Sequence, residues 1–236
     1  MSFSVPFQIA IDGPVAAGKG TVSRLVADRL GFLYVDTGAM YRVAAMLALT
    51  KECSLDDGPA IAEIISQAKI EMNNPKEGEK DGRLTTVVVD GKDVSWEIRT
   101  EVVSKGASTI AVHPEVRSVL VKKQQQIASI QNVVMEGRDV TYRVLPEAQL
   151  KIFLTGDATV RAKRRHLQLQ TRGQNTTFSE VYQAIVDRDT HDTERATDPL
   201  KKIPEAWEIN TTDLSIEQVV DLIVNKVAAM RNQDDR

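Results

Sequence analysis

Residues 13–21 read GPVAAGKGT, and this stretch decides the fold. It follows the apolar run FQIAIDG at 7–13 and precedes a segment with helical spacing, so it joins a buried strand to a helix. Glycines in such a tight turn let successive backbone N–H groups point inward, and the helix N-terminus adds positive potential. Lys19 can then reach an anion as a mobile point charge. The spacing predicts a phosphate-binding loop, with an ordinary glycine-rich turn as the alternative.

Every residue of this loop is a candidate for binding phosphate. Gly20 departs from the strict pattern, because it stands between Lys19 and the hydroxyl of Thr21. Thr21, or the phosphates together with water, would then help to hold Mg²⁺. The candidate residues are Gly13, Pro14, Val15, Ala16, Ala17, Gly18, Lys19, Gly20 and Thr21.

Short apolar runs recur along the rest of the chain. They alternate with longer segments of helical spacing, which predicts an α/β fold with a five-stranded parallel sheet flanked by helices. Pro114, Asp157 and the pair Ser215 with Gln218 mark the starts of three helices. The four further runs are FLYVDTG (32–38), NVVMEG (132–137), LKIFLTG (150–156) and WEINTT (207–212).

Residues 69–95 interrupt this alternation. The segment TTVVV is followed directly by Asp90-Gly91, a pair that suits a two-residue type I′ turn. We therefore expect a small antiparallel insertion here, before the next helix begins near Glu97.

Composition narrows the function class. The 236 residues carry 30 Lys plus Arg against 33 Asp plus Glu, a net charge of −3, so no basic excess indicates a nucleic acid polymer. With 42% hydrophobic and 27% charged residues the chain should be globular. The single cysteine, Cys53, favours a reducing compartment, and neither a basic leader nor an apolar run of roughly 18 to 20 residues is present. We expect a cytoplasmic protein without membrane contact.

A basic segment spans residues 158–179. It contains no acid and five cations, which are Arg161, Lys163, Arg164, Arg165 and Arg172. Arg161 and Arg165 are four residues apart on one helical face, where their guanidinium groups could clamp a phosphoryl group. A solvated basic helix face is the alternative.

A second helix is expected from about Ser179. Val181, Ile185, Arg188, Asp192 and Arg195 follow one another at intervals of four, three, four and three, so they share one face. The apolar half should pack on the core, while the charged half looks into a cleft. A surface ladder of ion pairs would give the same spacing.

Four further blocks accompany the loop, and together they resemble one family. The set is similar to that of the bacterial cytidylate kinases from about Ile9 to about Ile223. The blocks are DTGAMYR (36–42), VSWEIRT (94–100), EGRD (136–139) and RDTHDTER (188–195). The resemblance implies a P-loop kinase core at 1–38, 112–157 and 179–236, a monophosphate-binding subdomain at 39–111 and a lid at 158–178. It implies a monomer that converts ATP and CMP or dCMP, with Mg²⁺, into ADP and the corresponding diphosphate.

The resemblance also implies roles for individual residues. It places the CMP phosphate near Arg42 and Arg138, beside Thr37 and Tyr41, and the ribose near Arg188 and Asp192. Cytosine would meet Ser108, Arg117 and Asp139, although Arg117 and Asp139 could equally form a structural ion pair. The catalytic cations would be Lys19, Arg138, Arg161, Arg165 and Arg195.

Three positions depart from the family pattern. Residues 141–143, Thr-Tyr-Arg, replace a small glycine-containing stretch, Glu136 stands where aspartate is frequent, and His191 replaces an arginine. Kinases for UMP or AMP and shikimate-type kinases are the nearest alternatives. A P-loop switch protein would need a guanine-reading N-K-x-D block, and the sequence has none.

Overall fold

The computed structural model describes residues 5–79, 81–171 and 173–234. The strands are β1 (Gln8–Asp12), β2 (Leu33–Asp36), β3 (Ile70–Asn73), β4 (Thr86–Val89), β5 (Lys92–Asp93), β6 (Val133–Gly137), β7 (Leu150–Thr155) and β8 (Trp207–Asn210). The helices are α1 (Lys19–Leu30), α2 (Thr37–Thr50), α3 (Gly58–Gln67), α4 (Glu101–Ile110), α5 (Pro114–Ile130), α6 (Ala158–Thr171), α7 (Phe178–Glu194) and α8 (Ile216–Asp234).

The five predicted apolar runs form one parallel sheet in the order β2-β6-β1-β7-β8. Both faces of this sheet are covered. Ile9 and Ile11 pack on one side with α1 and α8, whereas Ala10 packs on the other side with α2 and α5. Burial on both faces explains why β1 and β6 contain continuous apolar runs, whereas β8 at the edge of the sheet alternates between apolar and polar residues. The predicted fold class is confirmed.

The carboxyl ends of the strands position the site. β1 ends at Asp12, directly before the phosphate loop; β2 ends at Asp36, directly before α2; and β6 ends at Gly137, directly before Arg138. In a parallel sheet these ends lie along one edge, which is where α/β proteins bind ligands.

The insertion is a three-stranded antiparallel sheet in the order β3-β4-β5. Asp90 and Gly91 link β4 to β5 with φ angles of 49° and 84°, the positive values that a type I′ turn requires. The predicted hairpin is confirmed, and β3 adds a strand to it. The next α-helix begins at Glu101 rather than near Glu97, because residues 97–99 form a single 3₁₀ turn.

Helices α6 and α7 pack against each other beside the phosphate loop. Asp157 caps α6 by accepting hydrogen bonds from the backbone N–H groups of Thr159 and Val160. The apolar half of α7, Val181 and Ile185, packs on α6 and on the loop. With Ala162 it forms a buried core cluster that is separate from the two clusters that cover the sheet. Across the described ranges, no helix is long and apolar enough to cross a bilayer.

Candidate functional site

A cleft with a volume of about 530 Å³ opens at the carboxyl edge of the central sheet. Its walls come from the phosphate loop, from α2, α4 and α5, from the segment after β6, and from α6 and α7. Most of the predicted site residues line it: Val15, Ala16, Gly18, Lys19, Gly20, Thr21, Thr37, Tyr41, Arg42, Ser108, Arg117, Arg138, Asp139, Arg165, Arg188, Asp192 and Arg195. A larger groove of about 880 Å³ lies at the amino ends of β7 and β8, and none of the predicted residues lines it.

Lys19 begins α1 and is buried where the phosphate loop lines the cleft. Its Nζ donates hydrogen bonds of 2.8 Å to the carbonyl oxygens of Gly13 and Pro14. Burial, together with the nearby cation of Arg138, lowers the pKa of Lys19 to about 7, although Glu136 and Asp12 oppose the shift. An arriving anion would therefore strongly favour the charged form of this lysine.

Three of the nine predicted loop residues do not line the cleft. Gly13 is needed for packing instead: a Cβ atom there would lie 2.0 Å from the carbonyl oxygen of Leu154 on β7. Ala17 is buried in the core beside α1, and Pro14 supplies a carbonyl acceptor to Lys19. Proximity to the motif alone could not separate these packing roles from phosphate contacts.

Arg42 is held by Asp36, a residue that was not among the predicted site residues. Asp36 caps α2 through the backbone N–H of Ala39, and its second oxygen accepts from Nη2 of Arg42 at 2.6 Å. Thr37 is buried, and its hydroxyl donates to the carbonyl oxygen of Glu136. The start of α2 is thus fixed to the end of β6, which sets where Arg42 enters the cleft.

Asp192 joins two of the predicted arginines. It is buried, its Oδ2 accepts from Nε of Arg138 at 2.7 Å, and its Oδ1 lies 3.2 Å from Nε of Arg188. Burial acts to raise the pKa of Asp192, but Arg138 and Arg188 outweigh it and lower this pKa. Arg188 also donates to the hydroxyl of Ser108 at 2.7 Å. The charged half of α7 therefore faces the cleft as predicted, and its arginines are not a surface ladder.

Arg117 and Asp139 form a buried ion pair, and both residues line the cleft. Arg117 is 2% exposed and its guanidinium carbon lies 5.5 Å from the centre of the Tyr41 ring. A second carboxylate, that of Asp198, accepts from Nε of Arg117 at 2.7 Å. The ion-pair alternative is therefore present in the structure, and the pair also lines the cleft; recognition of cytosine by Arg117 and Asp139 stays a prediction. Asp198 was not predicted.

Arg161 does not line the cleft, contrary to its predicted place in a phosphoryl clamp. Its Nη1 donates to the carbonyl oxygen of Val15 at 2.9 Å and to Asp189 at 2.7 Å. Asp189 also accepts from the backbone N–H of Val15 at 3.1 Å. Spacing places Arg161 and Arg165 on one face, but the neighbours differ along that face, and only Arg165 reaches the cleft. The base of α6 is thus already docked on the phosphate loop.

The other cations of the basic segment also have identifiable surroundings. Arg164 donates to the hydroxyl and the carbonyl oxygen of Thr211 at 3.1 and 2.7 Å. Lys163 is exposed, and Arg172 lies outside the described residues.

Asp12 is a buried carboxylate that the sequence reasoning missed. It accepts from the backbone N–H groups of Val140 and Thr141 and from the hydroxyl of Thr141, at 2.9, 2.8 and 2.7 Å. Burial raises the pKa of Asp12 to about 6, so the group is still ionised at neutral pH. It fixes the π-helical turn at 140–144, which directly follows Asp139. Its position as the last residue of β1, at the ligand-binding edge, was the available signal.

Thr21 is the residue that best fits Mg²⁺. It lines the cleft two residues after Lys19. Mg²⁺ keeps several waters and takes few protein ligands when it is bound with phosphates, so a single hydroxyl is a sufficient anchor. In the part of the chain that the structure describes, no cluster of three or more histidine, cysteine or acidic side chains could hold a metal.

Comparison with known proteins agrees with the resemblance noted in the sequence. A cytidylate kinase of Geobacillus sp. (strain WCH70) is 44% identical, and the match covers 93% of this chain and 96% of that protein. A cytidylate kinase of Bacillus subtilis (strain 168) is 42% identical, and the match covers 93% of this chain and 95% of that protein. A gluconokinase structure from Sinorhizobium meliloti covers 97% of this chain and 95% of its own, with 12% identity and a TM-score of 0.49. The family model described as cytidylate kinase matches residues 9–229. With the phosphate loop and the cleft in place, the chain belongs to the cytidylate kinase family and is a nucleoside monophosphate kinase.

Proposed function

We propose that this chain transfers the γ-phosphate of ATP to CMP or dCMP, giving ADP and CDP or dCDP. The observation that carries the proposal is a single cleft lined both by a phosphate loop and by the buried Arg117–Asp139 pair. ATP would occupy the part of the cleft at the phosphate loop and the monophosphate the part that the ion pair lines. The polypeptide acts as a cytoplasmic monomer in this proposal, and the single cysteine is in line with a reducing compartment.

The division of labour follows the folding units. The core comprises 1–38, 112–157 and 179–236, the monophosphate-binding subdomain 39–111, and the lid 158–178. The base of α6 contacts the phosphate loop through Arg161, so the moving part of the lid is its outer half, from Arg165 onward.

The acceptor half of the cleft offers a partner for each portion of CMP. Arg42 and Arg138, with Thr37 and Tyr41 beside them, are the candidates for the phosphate. Arg188 and Asp192 bind the ribose. The base is read at Ser108, Arg117 and Asp139, since the 4-amino group of cytosine donates to a carboxylate while N3 and O2 accept from Arg117 and a hydroxyl.

The reaction needs no general base. The second pKa of a phosphate monoester is about 6, so the acceptor is largely dianionic at neutral pH and already nucleophilic. The protein has to align two anions and neutralise the charge that separates them. Lys19 neutralises charge on the transferring phosphoryl group, and Arg138, Arg165 and Arg195 neutralise charge around it. Arg161 contributes by fixing the phosphate loop. Thr21 would hold Mg²⁺, which would offset the negative charge of the phosphates when bound.

Product analysis tests this proposal against the other classes of P-loop protein. With ATP, Mg²⁺ and CMP, ³¹P NMR should show ADP and CDP appearing in equal amounts. Without an acceptor, phosphate release should be slow, because water is a poor substitute for the aligned monophosphate. Rapid ATP hydrolysis that CMP does not change would indicate a nucleotide-dependent switch, and transfer to shikimate would indicate a different acceptor class.

Binding of ATP should be coupled to proton uptake above neutral pH. Lys19 has a pKa of about 7 in the free protein, so it is mostly neutral at pH 8, and the phosphates favour its charged form. Calorimetric titrations with Mg²⁺-ATP at pH 8, in buffers of different ionisation enthalpy, should therefore report net uptake of protons. The Lys19→Gln variant should lose this uptake. Net proton release, or uptake that survives in the variant, would contradict the role of Lys19.

Amide exchange in the outer half of α6 should slow when both nucleotides bind. Arg165, at the start of residues 165–171, lines the cleft. Bound phosphates would offset the repulsion between the cations of the basic segment and would so stabilise a closed position of this part of α6. Residues 159–162 should change little, since Arg161 already docks that turn. Amide exchange in β7 serves as the internal reference. If exchange at 165–171 does not respond to ATP, CMP or a bisubstrate mimic, this result would count against a closing lid.

A further inference from the structure

Asp198 contacts two of the arginines that line the cleft, although it belongs to none of the family's sequence blocks. Its Oδ2 accepts from Nε of Arg117 at 2.7 Å. Its backbone carbonyl accepts from Nε of Arg195 at 2.9 Å, and also from Nη2 of the same residue. One loop residue thus fixes two cations of the site, one through its side chain and one through its backbone.

The backbone of Asp198 is held in an uncommon conformation. Its φ angle is 45°, in the left-handed region that aspartate and asparagine tolerate better than most residues with a side chain. The loop is anchored directly after Asp198, since Tyr142 donates to the carbonyl oxygen of Pro199 at 2.6 Å and the backbone N–H of Leu200 donates to the carbonyl oxygen of Asp192 at 2.7 Å. These anchors aim the carboxylate of Asp198 at Arg117.

Arg117 needs this second carboxylate because it is fully buried. Its Nη1 donates to the carbonyl oxygen of Ala111 at 3.2 Å, and its Nη2 donates to Oδ2 of Asp139. The other oxygen of Asp139 lies 4.0 Å from Arg195, beyond hydrogen-bond distance. Asp198 therefore compensates part of the positive charge of Arg117, so Asp139 is not the only carboxylate that neutralises this arginine.

The departures at residues 141–143 belong to the same arrangement. Thr141 bonds to Asp12, Tyr142 bonds to the loop at Pro199, and Arg143 lies 3.8 Å from Asp198. All three residues tie the turn after Asp139 to β1 or to the loop that carries Asp198.

We propose that Asp198 is a positioning residue for the nucleoside monophosphate, holding Arg117 and Arg195 in the orientation that receives the base and its phosphate. The inference rests on the proposed function of the cleft. It concerns the acceptor side only, because the backbone of the phosphate loop is contacted instead by Arg161 and Asp189. Loss of the Asp198 carboxylate should therefore weaken CMP and leave ATP almost unaffected.

Two variants of this residue test the proposal. Asp198→Asn keeps the size and the tolerance for a positive φ but removes the charge, whereas Asp198→Gly removes the side chain and keeps the carbonyl that holds Arg195. In both, the Kd and KM for CMP should rise by about tenfold or more, the usual scale for losing a hydrogen bond to a charged group. The KM for ATP should stay within about threefold. Asp90→Asn is the matched control, because Asp90 also has a positive φ, 49°, and its carboxylate accepts from the backbone N–H of Lys69 rather than from an arginine of the cleft.

The outcomes distinguish a failure of the role proposed for Asp198 from a failure of the proposed function. Unchanged CMP affinity in both variants, with a wild type that binds CMP normally, would refute the role of Asp198 and leave the proposed function intact. A parallel rise in KM for ATP and CMP with a lower melting temperature would identify a merely structural residue and also refute the role. A wild type that binds no CMP would contradict the proposed function, and this inference with it.

Discussion

Lys19→Ala should lower kcat by about 10² to 10³ while raising the KM for CMP far less, because Lys19 lies where charge develops on the transferring group. The structure supports this separation of effects. Lys19 belongs to the phosphate loop, whereas the ion pair proposed to read the base is formed by other residues of the cleft, Arg117 and Asp139. Steady-state kinetics with CMP and ATP varied in turn would measure both constants.

The variant should remain folded. Lys19 is buried and its pKa is lowered mainly by that burial, so its removal relieves a desolvation cost while leaving two carbonyl groups without a donor. A thermal melt close to that of the wild type would establish that the loss is catalytic, and Lys163→Ala, at an exposed lysine on α6, provides the matched control. A folded Lys19→Ala protein with near-normal kcat would show that the loop does not bind the transferring phosphate.

Asp139→Asn should relax the choice of base. The wild-type carboxylate accepts from the 4-amino group of cytosine and would face the 4-carbonyl of uracil oxygen to oxygen, whereas an amide can turn its NH₂ towards uracil. A contact of this kind is worth roughly 1 to 3 kcal/mol of discrimination. The variant should lose activity with CMP, and the ratio of kcat/KM for CMP over UMP should narrow by a corresponding factor.

The buried ion pair makes this substitution informative rather than merely disruptive. Arg117 keeps Asp198 as a charged partner when Asp139 is neutralised, so the arginine is not left with an uncompensated charge. Asp189→Asn is the control, since Asp189 contacts the phosphate loop and should not alter the choice of base. Equal losses for CMP and UMP, with their ratio preserved, would mean that Asp139 only supports Arg117 and that cytosine is read elsewhere.

The fold could be predicted because apolar runs mark its strands and capping residues mark the starts of its helices. β1 and β6 contain continuous apolar runs, and Ser215 with Gln218 forms a reciprocal cap in which each side chain meets the other's backbone N–H. β3 was not predicted, although its residues Ile-Glu-Met-Asn alternate between apolar and polar, because four residues are the shortest run that such a pattern can mark.

Site residues could be predicted only where they lie inside a recognisable sequence motif. Lys19 and Asp139 stand inside blocks with a recognisable spacing. Asp12, Asp189 and Asp198 act on residues 128, 174 and 81 positions away, and such partners are set by the tertiary fold and not by sequence spacing. For Arg161, helical spacing indicates the face of α6 on which the residue lies, but it does not indicate that Asp189 pairs with it in this structure.

The most direct test of the account compares acceptors for the wild-type protein. Initial rates of ADP formation would be measured with CMP, dCMP, UMP and AMP at saturating Mg²⁺-ATP. If Arg117 and Asp139 read cytosine in this cleft, kcat/KM for CMP or dCMP should exceed that for UMP by roughly tenfold or more, and AMP should be the poorest acceptor. A protein that phosphorylates UMP or AMP as efficiently as CMP would contradict the assignment of this part of the cleft.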